Sequence, residues 1–188
     1  MKRMLLLLGL ICSLCLMPVT ASAEHAYLED VNMATADDTM VYGIYVGKPI
    51  EDFVASFDKK KEWHAIPDDD IIIYEKKGSG YREAIYVFPN AQNPELIGDY
   101  RINFFVTKEE MADEIFMLAE KNFSYNFGRP SIKRGMFSMT WFLSSTFRIM
   151  VEYSEYDPRI PVAQGYPYAI SIHRSEGDYS KFFKYRKS

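Results

Sequence analysis

His64 precedes Asp68, Asp69 and Asp70 by four to six residues, and an imidazole grouped with carboxylates is an acceptable ligand set for a divalent cation. The aspartates follow Pro67, so the same run also suits a solvated turn. Ser171 and His173 form a second candidate pair, a hydroxyl and a base two residues apart. On a strand that spacing makes them outward neighbours on one face, an exposed histidine beside a serine, not a nucleophile aligned with its base. His25 is the third histidine. No G-x-S-x-G elbow, no H-E-x-x-H helix and no glycine-rich phosphate loop occurs. A small secreted hydrolase or metal-dependent enzyme using His64 with Asp68 and Asp70, or using His173, therefore rests on residue types alone. No cofactor and no metal is expected.

A third stretch points to binding. Residues 122–141 read NFSYNFGRPSIKRGMFSMTW and gather aromatics, a Gly-Arg-Pro and the adjacent cations Lys133 and Arg134. Glycine suits the left-handed position that ends a helix, and a proline just beyond prevents continuation, so Gly128 and Pro130 are explained as punctuation. Punctuation does not explain the density of Phe123, Tyr125, Phe127 and Trp141. Aromatic residues and arginine dominate interface hot spots. Tyr125, Arg129 and the strand bearing Trp141 are accordingly expected to border a partner-binding face, with Gly128 and Phe123 serving the fold.

The compartment follows from the N-terminal residues. Lys2 and Arg3 precede an apolar run from Met4 to Met17, then Pro18 and Ala21-Ser22-Ala23, the order of a secretory signal peptide. The run is shorter than the roughly 20 residues that span a bilayer. Residues 1–23 are therefore expected to be cleaved, and no transmembrane segment is expected in the mature chain. Both cysteines, Cys12 and Cys15, leave with the signal, so neither a disulfide nor a thiolate site remains. Lys2 and Arg3 leave too; of 22 cations, 20 then face 26 carboxylates and the net charge moves from −4 to −6. A nucleic-acid binder would be basic on at least one face, and this chain is acidic.

The elements that must position these residues read as α+β. Residues 24–40 sustain no hydrophobic period and are expected to be a flexible lead-in. Ile50, Phe53, Val54 and Phe57 then make one helical stripe after Pro49. Ile71 to Tyr74 and Tyr81 to Phe88 flank a Gly-Ser-Gly turn, and Tyr100 to Val106 supplies a third strand. Thr107 with Glu110 has the spacing of a capping box, and Met111, Ile115, Leu118 and Ala119 form the stripe of a second helix that ends near Gly128. Phe137 to Leu143 can be a strand. In the next, Phe147, Ile149, Val151 and Tyr153 alternate with Thr146, Arg148, Met150 and Glu152; in the last, Tyr168, Ile170 and Ile172 alternate with Ala169, Ser171 and His173. The order is twice a helix followed by antiparallel strands, so two such units in one sheet-based domain over 41–175 are expected. Asp157 to Pro161 reads as a stiff loop, and residues 176–188 as a polar basic tail.

The GIYVGKP of residues 43–49, the FGRP of 127–130 and the tryptophan-bearing strand followed by two alternating strands resemble the helix-plus-sheet modules of β-lactamase-inhibitory-protein-like and related small bacterial envelope proteins. The resemblance spans most of 41–174. It implies a sheet face that grips another macromolecule, and it transfers no particular binding residue. The inhibitors carry disulfides and the envelope lipoproteins an acylated cysteine, neither of which the mature chain would have. The expected protein is an exported non-enzymatic binding module of the bacterial cell envelope or extracellular space, periplasmic or released, whose partner is another protein and not nucleic acid.

Overall fold

Alternation of apolar and polar side chains along the chain marks the strands of one antiparallel sheet. The computed structural model describes residues 26–36, 41–156 and 165–183. Within them lie the helices α1 (Ala26–Ala34), α2 (Ile50–Phe57), α3 (Glu109–Phe127) and the single turn α4 (Ser180–Phe183). The strands are β1 (His64–Ile66), β2 (Ile72–Lys77), β3 (Tyr81–Pro89), β4 (Ile97–Val106), β5 (Ile132–Arg134), β6 (Ser138–Phe142), β7 (Phe147–Glu155) and β8 (Tyr168–Glu176). All eight belong to one antiparallel sheet in the order β1-β2-β3-β4-β8-β7-β6-β5. Mixed α/β with a dominant antiparallel sheet is thus the architecture.

One face of this sheet is the core. Tyr74, Ile85, Ile102, Ile172, Val151 and Met139 are register partners in succession across six strands, and each is buried. Helix α3 lies across β4, β8 and β7 on that side, with Ala112, Ile115, Phe116, Ala119 and Phe123 turned inward. Phe53 and Phe57 of α2 pack their rings on Tyr74. Rings fill this continuous core, and no cysteine lies among the described residues.

Helix α1 corrects the expected lead-in. Tyr27, Val31 and Ala34 fall at i, i+4 and i+7 and are buried, and Asp30 is buried among them. A charge on the inward side hides the stripe from a hydrophobicity reading. That charge is matched: Asp30 lies 2.7 Å from Lys76 Nζ and accepts from the Tyr81 hydroxyl at 2.5 Å. Lys76 also lies 3.0 Å from Glu83 Oε2, and the Tyr42 hydroxyl donates to Glu83 Oε1 at 2.7 Å. Burial outweighs Lys76 and pushes the Glu83 carboxyl up to about 7. At the other end of α1, the fully buried Arg174 donates from Nη2 to the Ala34 carbonyl at 2.9 Å, a cation on the last, unpaired carbonyls of a helix. Tyr27 donates to Glu114 of α3. A helix this short holds its place through these contacts, since isolated helices under about 12 residues are marginal in water.

Two further local expectations change. The capping box at Thr107 is absent: its hydroxyl donates to Gly80 O at 3.3 Å, and α3 starts after Lys108 with no side-chain cap. The polar tail is partly docked, because Tyr179 and Phe182 stack on Phe142 at 5.3 and 4.1 Å between ring centres. The expected signal peptide and the 157–161 loop lie outside the described residues.

Candidate functional site

Side chains alternate across a strand, so each strand that feeds the core also presents a second set of residues to the opposite side. No helix among the described residues longer than the turn α4 packs on that second face. One register row across it reads Ile73, Tyr86, Arg101, His173, Met150, Thr140 and Ile132. The row beside it reads Phe88, Asp99, Ser175, Arg148 and Phe142, and on the other side stand Asn103, Ser171 and Glu152. Here antiparallel pairing, and not proximity in sequence, assembles the chemistry.

His173 is at the middle. The expectation of an exposed strand histidine is corrected: the residue is 6 % exposed, and neither ring nitrogen has a hydrogen-bond partner. Burial, and then the charges of Arg101 and Arg148, hold its pKa down at about 4, so the ring is neutral at pH 7. Arg148 is oriented by donating from Nε to Ser175 Oγ at 3.0 Å, and Ser175 Oγ in turn is 3.1 Å from the Tyr179 hydroxyl. Its guanidinium lies over the Tyr179 ring, 5.3 Å from the centre, as that of Arg101 lies 5.1 Å over Phe88. Burial raises the Asp99 carboxyl, and the Glu176 backbone, Arg101 and Arg148 oppose the rise. Asn103 bonds the Tyr86 hydroxyl while its buried Oδ1 has no partner.

The face has walls. Gly177 N–H donates to Thr146 O at 2.9 Å and Tyr179 N–H to Ser145 O at 2.7 Å, which pins the segment after β8 along the sheet. Between that segment and β5 to β7 lies a groove of about 340 Å³ lined by Arg134, Thr140, Arg148, Met150, Glu152 and Tyr179. On the β3 side, Tyr156 and Tyr166 pack over Phe105, Ala84 and Ala169, and Arg82 stacks 4.2 Å from the Phe105 ring centre while pairing with Glu75 at 3.2 Å. The arrangement offers directed cations, neutral hydrogen-bonding groups and aromatic edges to a ligand laid across it. Ser171 makes no hydrogen bond to His173, so a nucleophile and base are not assembled there.

The residues singled out from sequence are dispersed. Trp141 is 1 % exposed, on the core face of β6, and its indole packs on Phe123. Tyr125, at 90 % exposed, and Arg129, also exposed, belong to the end of α3 and the loop after it, in the helical layer. His64 is exposed on β1 opposite Glu75, and Asp68 Oδ1 is occupied in accepting the N–H groups of Asp70 and Ile71 at 3.0 and 3.1 Å. Among the described residues no three His, Cys, Asp or Glu side chains are grouped to hold a metal ion. Nor is any helix among them long and apolar enough to cross a membrane. Sequence reasoning passed over Arg101 and Asn103; the only signal was their place between Tyr100, Ile102 and Phe104 on the non-core side of β4. No family model, curated protein or solved structure matches the chain.

Proposed function

We propose that the protein is an exported, non-enzymatic binding module of the bacterial cell envelope or extracellular space, and that it grips a partner protein on the sheet face opposite the helices. The observation that carries this reading is the pair of buried, unpartnered polar groups, on His173 and Asn103, on a face that no long helix among the described residues covers. Buried polar atoms in native proteins are nearly always hydrogen-bonded, so groups left without a partner fit a surface completed by a ligand. Arginine and aromatic residues are the types that anchor interfaces, and Arg101, Arg148, Phe88 and Tyr179 stand there together. Export is supported by the signal-peptide pattern of residues 2–23. The resemblance to β-lactamase-inhibitory-protein-like modules points to the same use of a sheet.

We further read the sheet as two helix-then-strands units, α2 with β1 to β4 and α3 with β5 to β8. Their order along the chain and the β4–β8 pairing at the centre support this. The binding face then has its middle where the units meet, which is where Arg101 and His173 pair.

A photo-cross-linking residue placed at Met150, on the open face, and separately at Met117, exposed on α3, tests the reading in the native envelope or secreted fraction. A single protein cross-linked from Met150 and not from Met117, which then binds the purified chain stoichiometrically, is the expected result. Cross-linking from Met117 alone, or from neither site, contradicts it.

A further inference from the structure

We propose that Arg101, His173 and Arg148 form a carboxylate-binding site that receives an acidic side chain of the partner protein. The inference rests on the open-face reading and gives the partner its chemistry. Arg101 is the direct register partner of His173 across β4 and β8, and Arg148 is that of Ser175, the next residue of β8 on the same face. Two guanidinium groups therefore flank one imidazole. The imidazole is nine-tenths buried and both its nitrogens lack partners. A neutral imidazole has one N–H to donate, and a carboxylate oxygen accepts it. Among the described residues neither arginine comes within 4.0 Å of a carboxylate oxygen, so both charges are available. With Nε of Arg148 tied to Ser175, its Nη fork is left for a ligand, and a planar fork matches a carboxylate in two-point contact.

Charge decides the class of anion. Asp99 stands on the same face within the field of both arginines. Asp99, and Glu152 on the other side of His173, offset the charge of the two arginines, which disfavours a phosphate dianion relative to a monoanionic carboxylate. Of the other groups on this face, Glu152 of β7 is one row from His173 and Tyr179 covers Arg148, while Glu176 ends β8 with the opposite parity. Binding of an anion would favour the protonated ring, so uptake should be coupled to a proton.

The test follows the histidine Cε1–H signals of the purified protein by NMR, with His173 assigned by the signal lost in His173→Gln. Sodium acetate, inorganic phosphate and chloride are titrated at constant ionic strength near pH 6. Acetate should shift the His173 signal saturably and raise its titration midpoint, chloride should not, and Arg101→Gln should weaken the acetate response about tenfold, as expected for loss of a charge-assisted contact. A blocked Ala-Glu-Ala peptide should act as acetate does, and blocked Ala-Gln-Ala should not. A signal unmoved by acetate, or moved equally by chloride, overturns the site; tighter binding of phosphate overturns the carboxylate assignment. Far-ultraviolet circular dichroism of Arg101→Gln ensures that a lost response is not a lost fold. The two proposals fail separately. An acetate site without any Met150 cross-link sinks the open-face reading and leaves the anion site, whereas a cross-linked partner that binds Arg101→Gln as well as wild type sinks the site and leaves the face.

Discussion

The indole N–H of Trp141 donates to the carbonyl of Gly128 at 3.0 Å, fastening β6 to the residue that ends α3. Gly128 has φ 77° and ψ −166°, a conformation essentially reserved for glycine, and an added Cβ would touch nothing. Its replacement is therefore a test of backbone alone. Gly128→Ala should lower stability by about 1–3 kcal/mol. Trp141→Phe should lose about 1 kcal/mol for the hydrogen bond. Thermal melts of the two variants check both figures, and an unchanged midpoint for Gly128→Ala would contradict the first.

Tyr125 and Arg129 should matter to neither stability nor the open face. Exposed substitutions away from structural features usually stay within about 0.5 kcal/mol. The double change Tyr125→Ala, Arg129→Ala should leave both the melting temperature and the Met150 cross-link as they are. Loss of partner binding would move the interface to the end of α3.

What the sequence makes legible here is periodicity, and what it hides is pairing. The stripe Ile50, Phe53, Val54, Phe57 and the alternation from Phe147 to Tyr153 lie where the structure has α2 and β7, because burial on one side leaves its period in the chain. Helix α1 escapes such a reading because Asp30 occupies its inward side, stabilised by Lys76 and Tyr81 from strands some 46 and 51 residues on. Trp141 misleads in the opposite direction: a tryptophan near an arginine looks like a hot spot until the strand's parity sets it facing α3. Arg148 and His173 come from the consecutive strands β7 and β8, but Arg101 comes from β4, and only the β4–β8 pairing brings it beside them.

Asp30 is the pivot of the α1 contact. Asp30→Ala removes a partner of both Lys76 and Tyr81 in a largely buried setting, and breaking such a pair is expected to cost about 3 kcal/mol. Faster proteolysis near residues 26–36, together with a lower melting temperature, is the expected outcome; unchanged protection there would contradict the anchoring.

Two buried groups should give stability opposite slopes with pH. Glu83, pushed up to about 7, binds a proton in the folded state at pH values where the unfolded carboxyl, near 4.5, has lost it, so its contribution falls as pH rises through that window. His173, held down at about 4, stays neutral in the folded state below the ordinary 6.5, so its contribution is lost as pH falls. Between about pH 4.5 and 6.5 the two oppose, each by at most about 1.4 kcal/mol per pH unit. Against wild type, Glu83→Gln should lose more stability on acidification and His173→Gln less. Denaturant midpoints at pH 5 and 7 decide it, and parallel changes in both variants would contradict the assignment.

The face itself is tested most directly by the affinity of the partner captured at Met150 for two variants that each add one glutamate. Met150→Glu places a carboxylate beside His173 on the open face, and Met117→Glu places the same charge on the outer side of α3. With both variants melting as wild type does, Met150→Glu should weaken binding at least about tenfold, the scale of a central interface position, and Met117→Glu should leave it unchanged. Unchanged affinity for Met150→Glu, with loss for Met117→Glu, would contradict the account and assign binding to the helices.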